Sequence, residues 1–228
     1  VFPRFRRGAF FLFAIVFAVS LLLGDRPLAS ELALRPLAFV SGEGLWAPLT
    51  AGFLFPDAQL AALAFTLLVQ WFFGSPLEGF WGTRRYVVMV LVSVVVGYAT
   101  TGLLALWVPA VAAVTAMSGA TPLDLATATA FGVVFAKQDY SLFGMQPIKG
   151  RILAGFTVLL VLALPVARAG GLEAWPALLP SVFAVLVALV FVTQPWRRKG
   201  KSGNIGGRKK RKNAPHLRVV READDMLN

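Results

Sequence analysis

Thr115–Gln138, TAMSGATPLDLATATAFGVVFAKQ, is the stretch that decides the fold. It is an apolar helix that opens on small polar residues, where a membrane-spanning helix would open on lipid-facing ones. Ser118-Gly119-Ala120 reads as a tight turn before a helix start, either plain punctuation or a nucleophile's seat. Thr121 suits the N-cap, Pro122 the first helical position, and Asp124 the third, where a carboxylate meets free backbone N–H groups. A helix over Pro122–Ala136 is roughly 22 Å long, short of the ~30 Å hydrocarbon core of a bilayer. Lipid cannot satisfy the free N–H groups of such a helix, so its polar start must lie within protein or beside water. The chain is expected to fold around this buried terminus.

The rest of the composition agrees with a membrane setting. Of 228 residues, 57% are hydrophobic and 14% charged, and mean hydropathy is +0.72. Soluble domains carry about 25% charged residues, so the sequence reads as an all-α integral membrane protein. There is no cysteine, hence no disulfide, thiol nucleophile or cysteine metal site. The single histidine, His216, lies in the C-terminal tail. A zinc site or a Ser-His pair within the membrane is excluded by count, and no metal or cofactor is expected.

Apolar runs place six spans. Gly8–Gly24 follows the basic Arg4, Arg6 and Arg7 and reads as an uncleaved first span. Asp25–Phe55 mixes charges with Leu, Phe and Trp and reads as an interfacial first loop of short helices and turns, anchored by Trp46. Asp57–Phe73 is the second span, ended by Gly74-Ser75-Pro76, with Glu78, Arg84 and Arg85 in a polar loop. Tyr86–Leu106 is the third, where Gly97 and Gly102 allow close helix approach. The fourth is Pro122–Ala136, the fifth Ile152–Val166 and the sixth Ala177–Thr193. With six spans, one face collects Arg4, Arg6, Arg7, Arg84, Arg85, Lys137, Lys149, Arg151 and the eleven basic residues from Arg197 to Arg221. That is nineteen of 22. By the positive-inside rule both termini are cytoplasmic, and the start of the fourth helix faces outward. Organelle-targeting features are absent, which fits a bacterial inner membrane.

Residues 1–196 form the membrane domain and 197–228 a basic, Gly-rich, flexible tail. Lys209, Lys210, Arg211 and Lys212 suit anionic lipid headgroups, at about 1 kcal/mol per basic residue near the surface. Nothing in the tail resembles a nucleic-acid recognition helix.

Three stretches together resemble the rhomboid superfamily of intramembrane serine proteases. Leu37–Phe55, LAFVSGEGLWAPLTAGFLF, is similar to that family's first loop and includes Trp46. Gly74–Tyr86, GSPLEGFWGTRRY, resembles the turn after the second span, with Leu77-Glu78, Gly82 and Arg85 in place. Ala116–Gly119, AMSG, resembles the Gly-x-Ser-Gly around the nucleophile. The resemblance covers Phe10 to about Gln194 and implies a six-helix bundle with a lateral groove for transmembrane substrates.

It also implies a site in which most chemical positions have changed. The nucleophile falls on Ser118 and the glycine before it on Ala116. The first-loop arginine falls on Ala47 and the loop's closing histidine on Phe55. The oxyanion-stabilising histidine and asparagine of the second span fall on Ala62 and Thr66. The sixth span, which carries the family's histidine base, has none, although Ala184 and Ala188 keep a small-xxx-small contact. A serine hydroxyl is a poor nucleophile until a base takes its proton, and one oxyanion donor is worth about 10²–10³ in rate. The resemblance therefore implies an inactive member that binds or regulates other membrane proteins or transmembrane helices. An active protease with an atypical site at Ser118 is the alternative. A small transporter using Asp124 as an intramembrane carboxylate is a third reading.

Overall fold

The structure, a computed structural model, describes residues 4–56, 59–140, 148–168 and 175–193, with 164–168 as backbone. Residues 1–194 belong to one compact unit. The tail residues Lys209, Lys210, Arg211 and Lys212 lie outside the described residues.

The architecture is helical. A first helix, α1, spans Arg7–Leu23. Three short helices follow, α2 Leu28–Leu32, α3 Pro36–Val40 and α4 Ala47–Thr50, and then a 3₁₀ turn at Ala51–Phe53. This is the expected first loop of short helices and turns. Next comes one rod in three parts, α5 Leu60–Val69, a π-helical turn Gln70–Gly74, and α6 Ser75–Trp81. Helices α7 Thr83–Leu104, α8 Pro109–Ala112 and α9 Thr121–Val134 complete the middle of the chain. The last two long helices are α10 Gly150–Arg168 and α11 Trp175–Thr193. Between α9 and α10, a region read as a plain polar loop, Asp139-Tyr140 pairs antiparallel with Ile148-Lys149. Tyr140 packs on Phe131 and Phe135 there, and its partial burial pushes the phenol above its ordinary pKa.

Leu60–Trp81, Thr83–Leu104 and Trp175–Thr193 are long and apolar enough to cross a membrane. Arg7–Leu23 and Gly150–Ala163 are shorter apolar helices. The exterior is apolar as well as the core, and a few polar side chains are buried. Phe11, Leu22, Phe156 and Leu159 are more than 60% exposed, whereas Gln70, Thr127 and Asp124 are buried. Apolar exteriors of this extent suit lipid better than water.

Two sequence expectations change in the long rod. Gly74-Ser75-Pro76 does not end the second long helix. A proline inside a helix removes one hydrogen bond and clashes with the carbonyl four residues back. The π turn at Gln70–Gly74 widens the backbone just before Pro76, and the Ser75 hydroxyl donates to the Gln70 carbonyl at 3.3 Å. The helix therefore continues to Trp81 and stops at Gly82, whose φ of +81° suits glycine. Glu78 is accordingly not a loop residue. It is buried in the last turn of α6 and caps α1: its Oε1 accepts from Gly8 N at 3.0 Å and its Oε2 from Ala9 N at 2.9 Å. Thr83 Oγ1 donates to the same carboxylate at 2.6 Å. A carboxylate on the first N–H groups of a helix is the favourable pairing of charge with the helix dipole.

Helix α11 packs along α7 and α9. Close approach is set at Gly97, where any Cβ would strike the Pro180 carbonyl, and at Ala184 and Ala188, both fully buried. The small-residue expectation for Gly97 holds. At Gly102 the neighbour is instead the Phe39 ring of α3, so that glycine seats the first loop and not a long helix.

Candidate functional site

The chain enters α9 through Met117-Ser118-Gly119, and three other elements hold this segment by its backbone. Met117 exchanges two hydrogen bonds with Leu34, both 2.8 Å, as an isolated antiparallel bridge. Gly119 N donates to the Ala51 carbonyl at 2.9 Å. The Tyr98 hydroxyl, fully buried on α7, donates to the Gly119 carbonyl at 2.8 Å. Gly119 has φ +131°, a region that side chains with a Cβ rarely enter, and an added Cβ would meet the Phe55 ring at 3.4 Å. Glycine after Ser118 is thus a requirement of the turn.

Ser118 is half-buried, and its hydroxyl has no hydrogen-bond partner among the described residues. The other residues singled out in the sequence take different places in the fold. Phe55 is buried against Gly119, and Ser20 on α1 anchors it by accepting from its N–H at 3.0 Å. Ala47 is buried. Trp46 is 59% exposed and donates from Nε1 to the Glu31 carbonyl at 3.4 Å. Ala116 is exposed and Ala62 packs at the edge of the core. Arg85 does not approach this segment. It stacks on Trp81 and Phe191.

Asp124 corrects a sequence expectation. Helix α9 starts at Thr121 behind Ala120, with Pro122 in its first turn and no side-chain cap. Asp124 N donates to the Ala120 carbonyl, closing the first turn. The Asp124 carboxylate leaves its own helix and accepts from Thr66 Oγ1 at 2.7 Å. The capping box does not form because Thr66, fully buried on α5, offers a donor within the core. This bond engages the Thr66 hydroxyl, so Thr66 serves Asp124 and not Ser118.

Behind Asp124 lies a polar network that the sequence reading missed. The Tyr86 hydroxyl donates to Gln70 Oε1 at 2.5 Å and lies 3.5 Å from Thr127 Oγ1. Thr127 in turn donates to the Leu123 carbonyl. The Gln70 amide lies near the Asp124 carboxylate, yet Gln70 Nε2 and Asp124 Oδ1 are each buried without a hydrogen-bond partner. A signal existed in the sequence. Thr66 and Gln70 are spaced i, i+4, and Asp124 and Thr127 i, i+3, each pair on one face of an apolar helix. Among the described residues no group of three or more His, Asp or Glu could hold a metal ion.

The bundle has an apolar groove, about 480 Å³, between α9, α10 and α11. Gly132, Ala154, Gly155, Val158 and Val185 line it, and nothing stands within 4 Å of a Cβ built on Gly155. Thr129 Oγ1, on its wall, is buried without a partner.

No family model, curated protein or solved structure matches the chain.

Proposed function

We propose that the chain is a rhomboid-like protein of six membrane spans, without protease activity, that binds other membrane proteins through their transmembrane helices. In this reading both termini face the cytoplasm, most naturally that of a bacterial inner membrane. The observation that carries it is the state of Ser118. The turn is tethered through the backbone on either side, but among the described residues the hydroxyl makes no hydrogen bond to a base or a donor. The surrounding family positions hold a phenyl ring, an alanine methyl and a hydroxyl committed to Asp124. Without a base the serine remains a weak nucleophile. What is left is a shaped bundle with a largely apolar groove in which Gly132, Ala154 and Gly155 leave room for close helix approach.

Capture of a single-span membrane protein, by a photo-crosslinker placed at Val158, tests the reading. Ser118→Ala is expected to leave capture unchanged and Gly155→Trp to reduce it several-fold at equal protein level. Ser118-dependent cleavage of the captured protein would contradict the proposal.

A further inference from the structure

We infer that Arg84 and Arg85, at the start of α7, form with Trp81 and Phe191 a binding site for the phosphate of an anionic phospholipid. The site goes beyond the proposed role of the bundle and does not depend on the chemistry of Ser118. Two adjacent cations stand in the first turn of a helix, the end at which positive charge is disfavoured. Neither forms an ion pair or a hydrogen bond among the described residues. Arg84 is exposed. The Arg85 guanidinium lies over the Trp81 ring at 5.2 Å and the Phe191 ring at 5.7 Å, which holds its planar fork in place. Glu78, in the last turn of α6, does not neutralise them. It is buried, and its oxygens are taken by Gly8 N, Ala9 N and Thr83 Oγ1.

These residues border an open cleft of about 530 Å³. Its walls identify the ligand's second half. Val88 is 45% exposed and also lines the cleft, and Val92, one turn on, is 42% exposed. A phosphate held by two guanidinium groups leaves an attached acyl chain to run along this apolar strip. Trp81 ends one of the helices long and apolar enough to cross a membrane, and indoles at such ends favour the headgroup region. A soluble phosphate would make no use of the valines, so the occupant is a lipid.

The test is native mass spectrometry of the full chain in detergent, titrated with phosphatidylglycerol and with phosphatidylcholine of the same acyl chains. Wild type is expected to prefer phosphatidylglycerol about thirtyfold, in line with two basic residues near a headgroup. R84Q/R85Q should bind both lipids alike, and a K209Q/K210Q/R211Q/K212Q variant should keep the preference. Arg84→Gln alone, at an exposed side chain, should lower the preference severalfold, and it carries the test if the double variant does not fold. The inference is overturned if Arg84→Gln and R84Q/R85Q retain the full preference, or if only the tail variant abolishes it. It is also overturned if inorganic phosphate at millimolar concentration displaces the bound lipid, which would make the site one for free phosphate.

Discussion

Gly119 and Thr66 show what single residues contribute here. Gly119 holds φ +131° with its N–H on Ala51, its carbonyl on Tyr98 and the Phe55 ring against its α-carbon. Gly119→Ala should cost about 1–3 kcal/mol, as other residues forced into such backbone regions do, read as a lowered unfolding midpoint in detergent. Thr66 is the donor for Asp124. Thr66→Val leaves that carboxylate oxygen unpaired in the core and should cost about 1–3 kcal/mol. In T66V/D124L both partners become apolar, so the double variant should be more stable than Thr66→Val alone, and the two effects should not add. Additive losses would mean the pair is not coupled. At this scale the sequence was partly legible. The turn at Ser118-Gly119 and the carboxylate of Asp124 are recognisable from small and polar residues in an apolar run. The partner of Asp124 was not, because Thr66 lies 58 positions away and only packing brings it near.

The long elements were legible, and their junctions were less so. Helices α7, α9, α10 and α11 begin and end within about three residues of their apolar runs, because burial and hydropathy select the same segments. Gly74-Ser75-Pro76 misled, since a local rule for helix ends was overridden by a π turn that makes room for the proline. Glu78 followed from that error, being a buried cap within the helix and not a loop charge. Glu78→Ala strips the acceptor from Gly8 N and Ala9 N and should destabilise the α1–α6 junction by about 1–2 kcal/mol. The expected sign of this junction opening is faster amide exchange at the start of α1, with the start of α9 unaffected. At the α7–α11 contact, Gly97→Leu would drive a side chain into Pro180 and Ala184. It should unfold the pair more severely than Val92→Leu on the exposed face of the same helix, compared by thermal denaturation.

For the whole molecule, composition was the strongest guide. An apolar chain with few charges folds here into helices with apolar exteriors and an apolar core that holds one polar cluster, Thr66, Gln70, Tyr86 and Asp124. Three helices meet the length and hydropathy needed to cross a membrane. The number of spans and the orientation rest on the distribution of basic residues, which labelling can read. The chain has no cysteine, so single cysteines report cleanly. In sealed vesicles of known orientation, cysteine at Trp107 should react with an impermeant maleimide from the outer side and cysteine at Arg84 from the inner side. Reaction of both from one side would refute the six-span arrangement. The absence of activation at Ser118 is tested most directly by a serine-reactive fluorophosphonate, applied to the purified chain, to Ser118→Ala and to an active rhomboid protease in the same detergent. No labelling of wild type, with full labelling of the active enzyme, is the predicted result. Labelling of wild type that disappears in Ser118→Ala would contradict the account, because it would require a base acting on Ser118.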